Sequence, residues 1–213
     1  MKLSYVMFLL IFVCSSAVAA EKSLLIDDFE HGLSPRWSVK EFQGVTDYQT
    51  VADGSNQVLQ GVSDGTASAL IYQKEFRLAD YPGISWRWKI EGIVEKGNSA
   101  SKLTDDYAAR IYIIFPHWFY PSTKSLNYIW ANKLEKGSVV PSAYTGNSMM
   151  IAVESGPDNV GLWQTVRRNI SEDFRQAFGE EPPEKIVIAI MTDTDNTGGM
   201  ARAWYDDIRL EKK

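Results

Sequence analysis

Apolar residues in this chain recur at every second position, in short runs bounded by Gly, Pro, Asn and Asp, and that period marks a half-buried strand. Twelve such runs can be read, at 23–29, 36–42, 47–52, 56–63, 66–76, 83–92, 107–115, 126–131, 147–154, 161–170, 185–193 and 201–210. A chain with this many short strands and little helical periodicity buries its apolar faces best by packing two sheets on each other. The expectation is an all-β fold, a two-sheet antiparallel jelly-roll-type β-sandwich with one short peripheral helix. The helix is read over 171–178: Ser171 stands as its cap, Glu172 and Asp173 fill the first turn, and Gly179 and Pro182-Pro183 end it. Asp53-Gly54 and Asp64-Gly65 each separate two strand runs and read as two-residue type I′ hairpins, which makes the first half an antiparallel meander.

Residues 1–20 read as a secretory leader, with Lys2, an apolar stretch from Tyr5 to Val13, and Val18 and Ala20 at the small-residue positions of a cleavage site. The expectation is a single exported domain over 21–213, periplasmic or secreted, since no repeat or flexible linker divides it. No later segment approaches the ~20 apolar residues of a membrane-spanning helix. The one cysteine, Cys14, falls in the leader, so a mature chain has no disulfide, thiol nucleophile or thiolate metal site. With Lys2 gone, 21 basic residues face 27 acidic ones, a net of −6, in no block of like charge. That balance disfavours nucleic acid and anionic membranes as partners and leaves carbohydrates or other small polar ligands.

Candidate chemistry follows from residues that break the apolar pattern. Ile84, Trp86, Trp88 and Ile90 share one face of the run 83–92; Trp at this spacing suits sugar stacking, but the flanking isoleucines favour the core. The run 107–115 is apolar on both faces except for Arg110, and a guanidinium buried there without a partner would cost several kcal/mol. Asp106 lies about 13 Å away along the strand, so Asp193 and Asp195 are the expected partners, as a structural ion pair or as a pair that grips a ligand. The stretch after Phe115 packs Trp118, Phe119, Tyr120, Tyr128 and Trp130 into a short space. Aromatics so dense cannot all reach a core; they are expected to stack on a flat ligand, to fold back as a lid, or to meet another subunit.

Some chemistries are excluded. His31 and His117 stand alone, which removes a zinc spacing, and neither a Gly-x-Ser-x-Gly elbow nor a phosphate loop occurs. In "DTDNTG", Asp193, Asp195 and Gly198 imitate the start of an EF-hand loop, but Thr197 and Trp204 occupy positions that need oxygen ligands of another kind. A calcium site built from oxygens distant in the chain stays open.

"LLIDDFEHG" and "AWYDDIRL" resemble the paired first and last strands of sugar-binding jelly rolls, and that resemblance nominates Glu30 and Asp207 as ligands of a structural calcium; acids on a solvated edge are the alternative. Most of the chain after the leader is similar to a bacterial exported family grouped as domain of unknown function 3047. The residues that carry the likeness are "DDFEHG", "DDYAARIYIIF", "LNYIWANK" and "GEEPPEKIVIAIMTDTDNTGGMARAWYDDIRL". The resemblance implies export and a galactose-binding-like fold, and it brings no catalytic residues.

The leading expectation is a non-catalytic domain that binds a carbohydrate or other polyol-bearing ligand. Asp106, Arg110, Asp193, Asp195 and Asn196 would supply polar contacts, with Trp118, Tyr128 and Trp130 stacking. A glycosidase or lyase using two of Asp105, Asp106, Asp193 and Asp195 is the alternative; it needs carboxyls about 5–5.5 Å or 6.5–9.5 Å apart across a cleft. A cell-envelope interaction module, contacting partners through the aromatic stretch, is the second alternative.

Overall fold

The structure, a computed structural model, describes residues 23–212, and the expected leader at 1–20 lies outside them. In chain order the strands begin with β1 (Ser23–Asp27), β2 (Trp37–Gln43), β3 (Asp47–Asp53), β4 (Asn56–Asp64), β5 (Ala67–Tyr72), β6 (Phe76–Arg77) and β7 (Gly83–Ile90). They continue with β8 (Arg110–Phe115), β9 (Lys124–Ala131), β10 (Val139–Pro141), β11 (Ser148–Ser155) and β12 (Gln164–Asn169). The helix α1 (Ile170–Phe178) follows, then β13 (Lys185–Asp193) and β14 (Met200–Glu211).

They form two sheets. The smaller has the order β12-β7-β14-β4-β3, with β1 also on β14; the larger runs β10-β11-β9-β8-β13-β5-β2, with β6 also on β13. All described pairings are antiparallel except β9 with β11, which run parallel, so the larger sheet is mixed. The fold is the expected β-sandwich, and each of the twelve runs contains a strand.

One core cluster fills the space between the sheets. Trp86 and Trp88 on β7 are fully buried, as their isoleucine neighbours imply, and they meet the opposite sheet directly: Trp86 against Tyr128 at 5.3 Å and Trp88 against Trp130 at 6.0 Å between ring centroids. Tyr128 and Trp130 are therefore core residues and offer no surface to a ligand, which corrects their expected stacking role. Leu126, Tyr128 and Trp130 share one parity on β9, and that parity faces the other sheet.

The turns also differ from expectation. β3 and β4 do form a hairpin, but Asp53 pairs with Asn56, so Gly54-Ser55 is the turn and only Gly54 takes a positive φ. Asp64-Gly65 joins no hairpin, because β4 and β5 belong to different sheets; the chain crosses the sandwich there, and the first half is no meander. Asn169, not Ser171, caps α1: its Oδ1 accepts the N–H groups of Ser171 and Glu172 at 3.1 and 3.2 Å. Ile170 is fully buried, which draws the first helical residue one place earlier.

Candidate functional site

The groove lies on the face of the larger sheet turned away from the core. Along β8, Ile111, Ile113 and Phe115 enter the core, so Arg110, Tyr112 and Ile114 point to the groove. The same alternation sends Ala189, Met191 and Asp193 of β13 outward, with Ala67 and Ala69 of β5 beside them and Ser125 and Asn127 of β9 on the other side. Alanines on the floor leave volume that larger side chains would fill, and the result is a groove of about 780 Å³.

Two loops bound it. The segment between β8 and β9 folds back across the sheet: Lys40 Nζ on β2 lies 5.5 Å from the Tyr120 ring centroid, and Asn147 Nδ2 donates to the Pro121 carbonyl at 2.9 Å. The β10–β11 connection contributes Tyr144, whose hydroxyl meets Asn196 Oδ1 at 3.0 Å and the Lys102 carbonyl at 3.2 Å. Phe42, Tyr112, Tyr120 and Tyr144 thus give the groove aromatic walls. On its lining, Asn127 is almost fully buried and its Oδ1 has no hydrogen-bond partner.

Arg110 anchors one end. It is 3% exposed and grips Asp193 with both prongs, Nε to Oδ1 at 2.7 Å and Nη2 to Oδ2. Nη2 also donates to the Asp105 carbonyl, and Nη1 donates to Asp105 Oδ2 at 3.4 Å and to the Tyr112 hydroxyl at 3.2 Å. The ring of Tyr107 covers the guanidinium at 4.4 Å. Asp193 is thus the partner that the buried arginine required. Asp105 is a second one that strand spacing does not foresee, since β8 begins at Arg110 and the chain before it turns back.

Electrostatics follow from burial. Burial pulls the Arg110 guanidinium down, but Asp193, Tyr112 and Asp105 outweigh it and raise its pKa. Burial raises the carboxyl of Asp193 against the pull of Arg110, and the two-pronged contact holds the charged form. Burial likewise raises Asp105, and it pushes the Tyr112 hydroxyl up to about 12. Asp195 is raised by burial and then by the nearby Asp106.

Asp106 is fully buried and holds the turn after β13: its two oxygens accept the N–H groups of Asn196 at 3.2 Å and Thr197 at 2.6 Å. Asp195 makes no ion pair with Arg110 or with any other described residue; only the Asn196 amide donates to it, at 3.1 Å. Asp106, Arg110, Asp193, Asp195 and Asn196 are therefore brought together. Trp118 is not in this assembly: at 92% exposed it stands on the loop and is not among the residues that line the groove.

The nominated calcium residues each have partners of their own. Glu30 Oε1 accepts the Gln57 N–H at 3.2 Å. Asp207 lies in a bulge of β14 at positive φ, between Arg87 at 3.0 Å and Arg209 at 3.3 Å, and those guanidiniums already satisfy its charge. The carboxylates that do converge are Asp106, Asp193 and Asp195, each with an oxygen within 4.8 Å of the others.

Asp106 and Asp193 are buried, and the oxygens of both are held by N–H donors. Tyr112, Tyr144 and Asn127 are the site residues that sequence reading missed, whereas Tyr120 of the aromatic stretch does line the groove. Parity carried a signal for one of them, because in "LNYIWA" Asn127 alternates with Leu126 and Tyr128 and so faces outward.

No curated protein matches the chain in sequence. The sequence model of a family described as "Protein of unknown function (DUF3047)" matches residues 35–209. Among solved structures, one that concerns the promiscuous specificity of carbohydrate-binding modules from the β-sandwich superfamily is similar at 14% identity and a TM-score of 0.46. It covers 91% of this chain and 64% of that one, so this chain spans less than two thirds of its length. A family 30 carbohydrate-binding module of a cellulosomal cellulase from Clostridium thermocellum is similar at 10% identity and a TM-score of 0.44, over 84% of this chain and 92% of that one. An endoglucanase from Rhodothermus marinus is similar at 10% identity and a TM-score of 0.44, over 85% and 99%.

Proposed function

The chain belongs to the family described as protein of unknown function (DUF3047), and since that description carries no activity, we propose from the site itself that this is an exported, non-catalytic domain that binds a carbohydrate or similar polyol-bearing ligand. The ligand would lie in the groove on the outer face of the larger sheet. Sugar recognition needs planar donors and acceptors for hydroxyls and aromatic surface for C–H faces. The groove offers both kinds of group, and its volume of about 780 Å³ suits a small ligand.

The observation that carries this reading is the lining of the groove, which sets the rings of Phe42, Tyr112, Tyr120 and Tyr144 beside the polar groups of Ser125, Asn147 and Asn196. Export rests on the leader-like segment at 1–20, and the N–H donors that hold the oxygens of Asp106 and Asp193 favour binding over hydrolysis.

The test is a thermal-shift screen of the purified protein against soluble oligosaccharides in EDTA, with calorimetry on any that raise the midpoint. Tyr144→Ala and Tyr112→Ala are expected to fold and to weaken the saccharide about tenfold or more, equivalent to ~1.4 kcal/mol. A saccharide that binds both variants as tightly as the parent, or a panel without any binder, would reject the proposal.

A further inference from the structure

The floor of the groove differs in chemistry from its margins. Ladder register sets Met191 between Ala69 on β5 and Arg110 on β8, and sets Ala189, the next outward residue of β13, between Ile71 and Tyr112. Ala67, Ala69 and Met191, with Ile71 and Tyr112 packed on them, form an apolar cluster distinct from the core, and Ile114 continues the outward row along β8. From the level of Arg110 to that of Ile114 the strand rises about 13 Å. Polar side chains stand around this strip: Lys40 and Gln43 on the β2 side, Ser125 and Asn127 on the β9 side, Asp195 and Asn196 at the Arg110 end.

The strip itself offers a hydroxylated ligand nothing to bond. Its one hydroxyl, on Tyr112, accepts from Arg110 Nη1 at 3.2 Å and donates to Met191 Sδ at 3.9 Å. A sugar hydroxyl laid on these residues would give up water without gaining a partner. Apart from Tyr112 the strip is aliphatic, so it is no flat aromatic surface for the C–H face of a sugar ring either. An alkyl chain meets both demands, since it has no polar atom and can run the length of the strip.

Charge selects the other part of the ligand. Arg110 is already held by Asp193 and Asp105, and Asp195 beside it makes no ion pair among the described residues. A carboxylate or phosphate head would be repelled at that end, whereas a hydroxyl can donate to a carboxylate oxygen. Lys40, the lining cation without an ion pair among the described residues, lies three strand spacings from Arg110, about 14 Å across the sheet.

We propose, on the basis of the saccharide reading of this groove, that its ligand is an amphiphile such as a glycolipid or alkyl glycoside. The hydroxylated head lies at Asp195, Asn196 and Tyr144, and the alkyl chain lies along the strip from Met191 to Ile114.

The experiment is calorimetric titration of the protein with methyl, butyl, hexyl and octyl β-glucoside, each below its micelle-forming concentration, and with octanoate. Affinity is expected to rise along the glucoside series, by up to about fourfold for each methylene that reaches the floor. Ile71→Ser, at a half-buried position, and Ala69→Leu, which fills the strip beside Met191, are expected to keep the parent circular dichroism spectrum and to lose most of the gain from methyl to octyl. Trp118→Ala, outside the groove, should leave that gain unchanged. An octyl glucoside that binds no tighter than methyl glucoside overturns the inference, as does a gain that survives in both floor variants or disappears in Trp118→Ala. Oligosaccharides that bind while the alkyl series stays flat reject the chain alone and leave the saccharide reading standing. Octanoate that binds as tightly as octyl glucoside shows that the sugar contributes nothing, and it rejects both the head assigned here and the saccharide reading.

Discussion

Arg110 sits on a strand that is apolar on both faces, and a guanidinium there must find carboxylates. That necessity is readable from β8 alone, and it pointed to Asp193 and Asp195, of which the structure makes Asp193 the partner. Asp105 was not readable, because extended spacing puts it too far back along a strand, and only the turn before Arg110 returns it. Tyr128 and Trp130 were misassigned for a different reason: counting aromatics in a stretch ignores which of them share the parity of Leu126. A further contact at this scale lies on the smaller sheet, where Asp53 accepts from Trp163 Nε1 at 2.7 Å and from Lys89 Nζ at 3.2 Å. The indole hydrogen bond first, and then Lys89, lowers the carboxyl of Asp53. A depressed acid contributes its stabilisation above its unfolded pKa and loses it as pH falls through the folded one. Acid titration followed by tryptophan emission should therefore show a transition below the ordinary Asp range, and Asp53→Asn should abolish it without loss of fold.

Elements were legible where the signal was local. β13 runs over the expected 185–193, since a buried strand bounded by Pro-Pro and a Gly-Gly turn carries its own limits. The helix was legible too, but its cap was not: Ser171 and Asn169 are both good capping types, and burial of Ile170 against the core chose between them. Asn169→Ala should lower the stability by about 1 kcal/mol, whereas Ser171→Ala should change it by less than about 0.5 kcal/mol; urea unfolding of the two variants decides. Asp64-Gly65 shows the limit of turn signals. A Gly at positive φ permits a tight reversal, but the partner of the strand that follows is set elsewhere in the molecule, and β5 pairs with β2 and β13.

At the scale of the molecule, one core cluster joins residues of both sheets, from Trp86 and Tyr205 on one to Tyr128 and Ile188 on the other. Tyr205 also reaches across with its hydroxyl, which donates to the Met191 carbonyl at 2.8 Å. Among the described residues neither sheet has a second apolar layer of comparable size, so the two should unfold together. Far-ultraviolet circular dichroism and tryptophan fluorescence are expected to give one coincident urea transition; two separated transitions would show that the sheets are independent units.

Period-two patterning, turn residues and a charge that cannot stay alone are properties of neighbouring residues, and from them the sequence by itself determined an all-β sandwich, the twelve strand-bearing runs and the need for an Arg110 partner. Strand order, the parallel pairing of β9 with β11, the crossing at Gly65 and the groove depend on which distant segments share a sheet. Pairing hydrogen bonds run between backbones that every sequence possesses, so they carry little information about the partner. The meeting of Asp106 with the turn after β13, and of Tyr112 with Tyr144 in one groove, was therefore decided only when the two sheets closed on their common core.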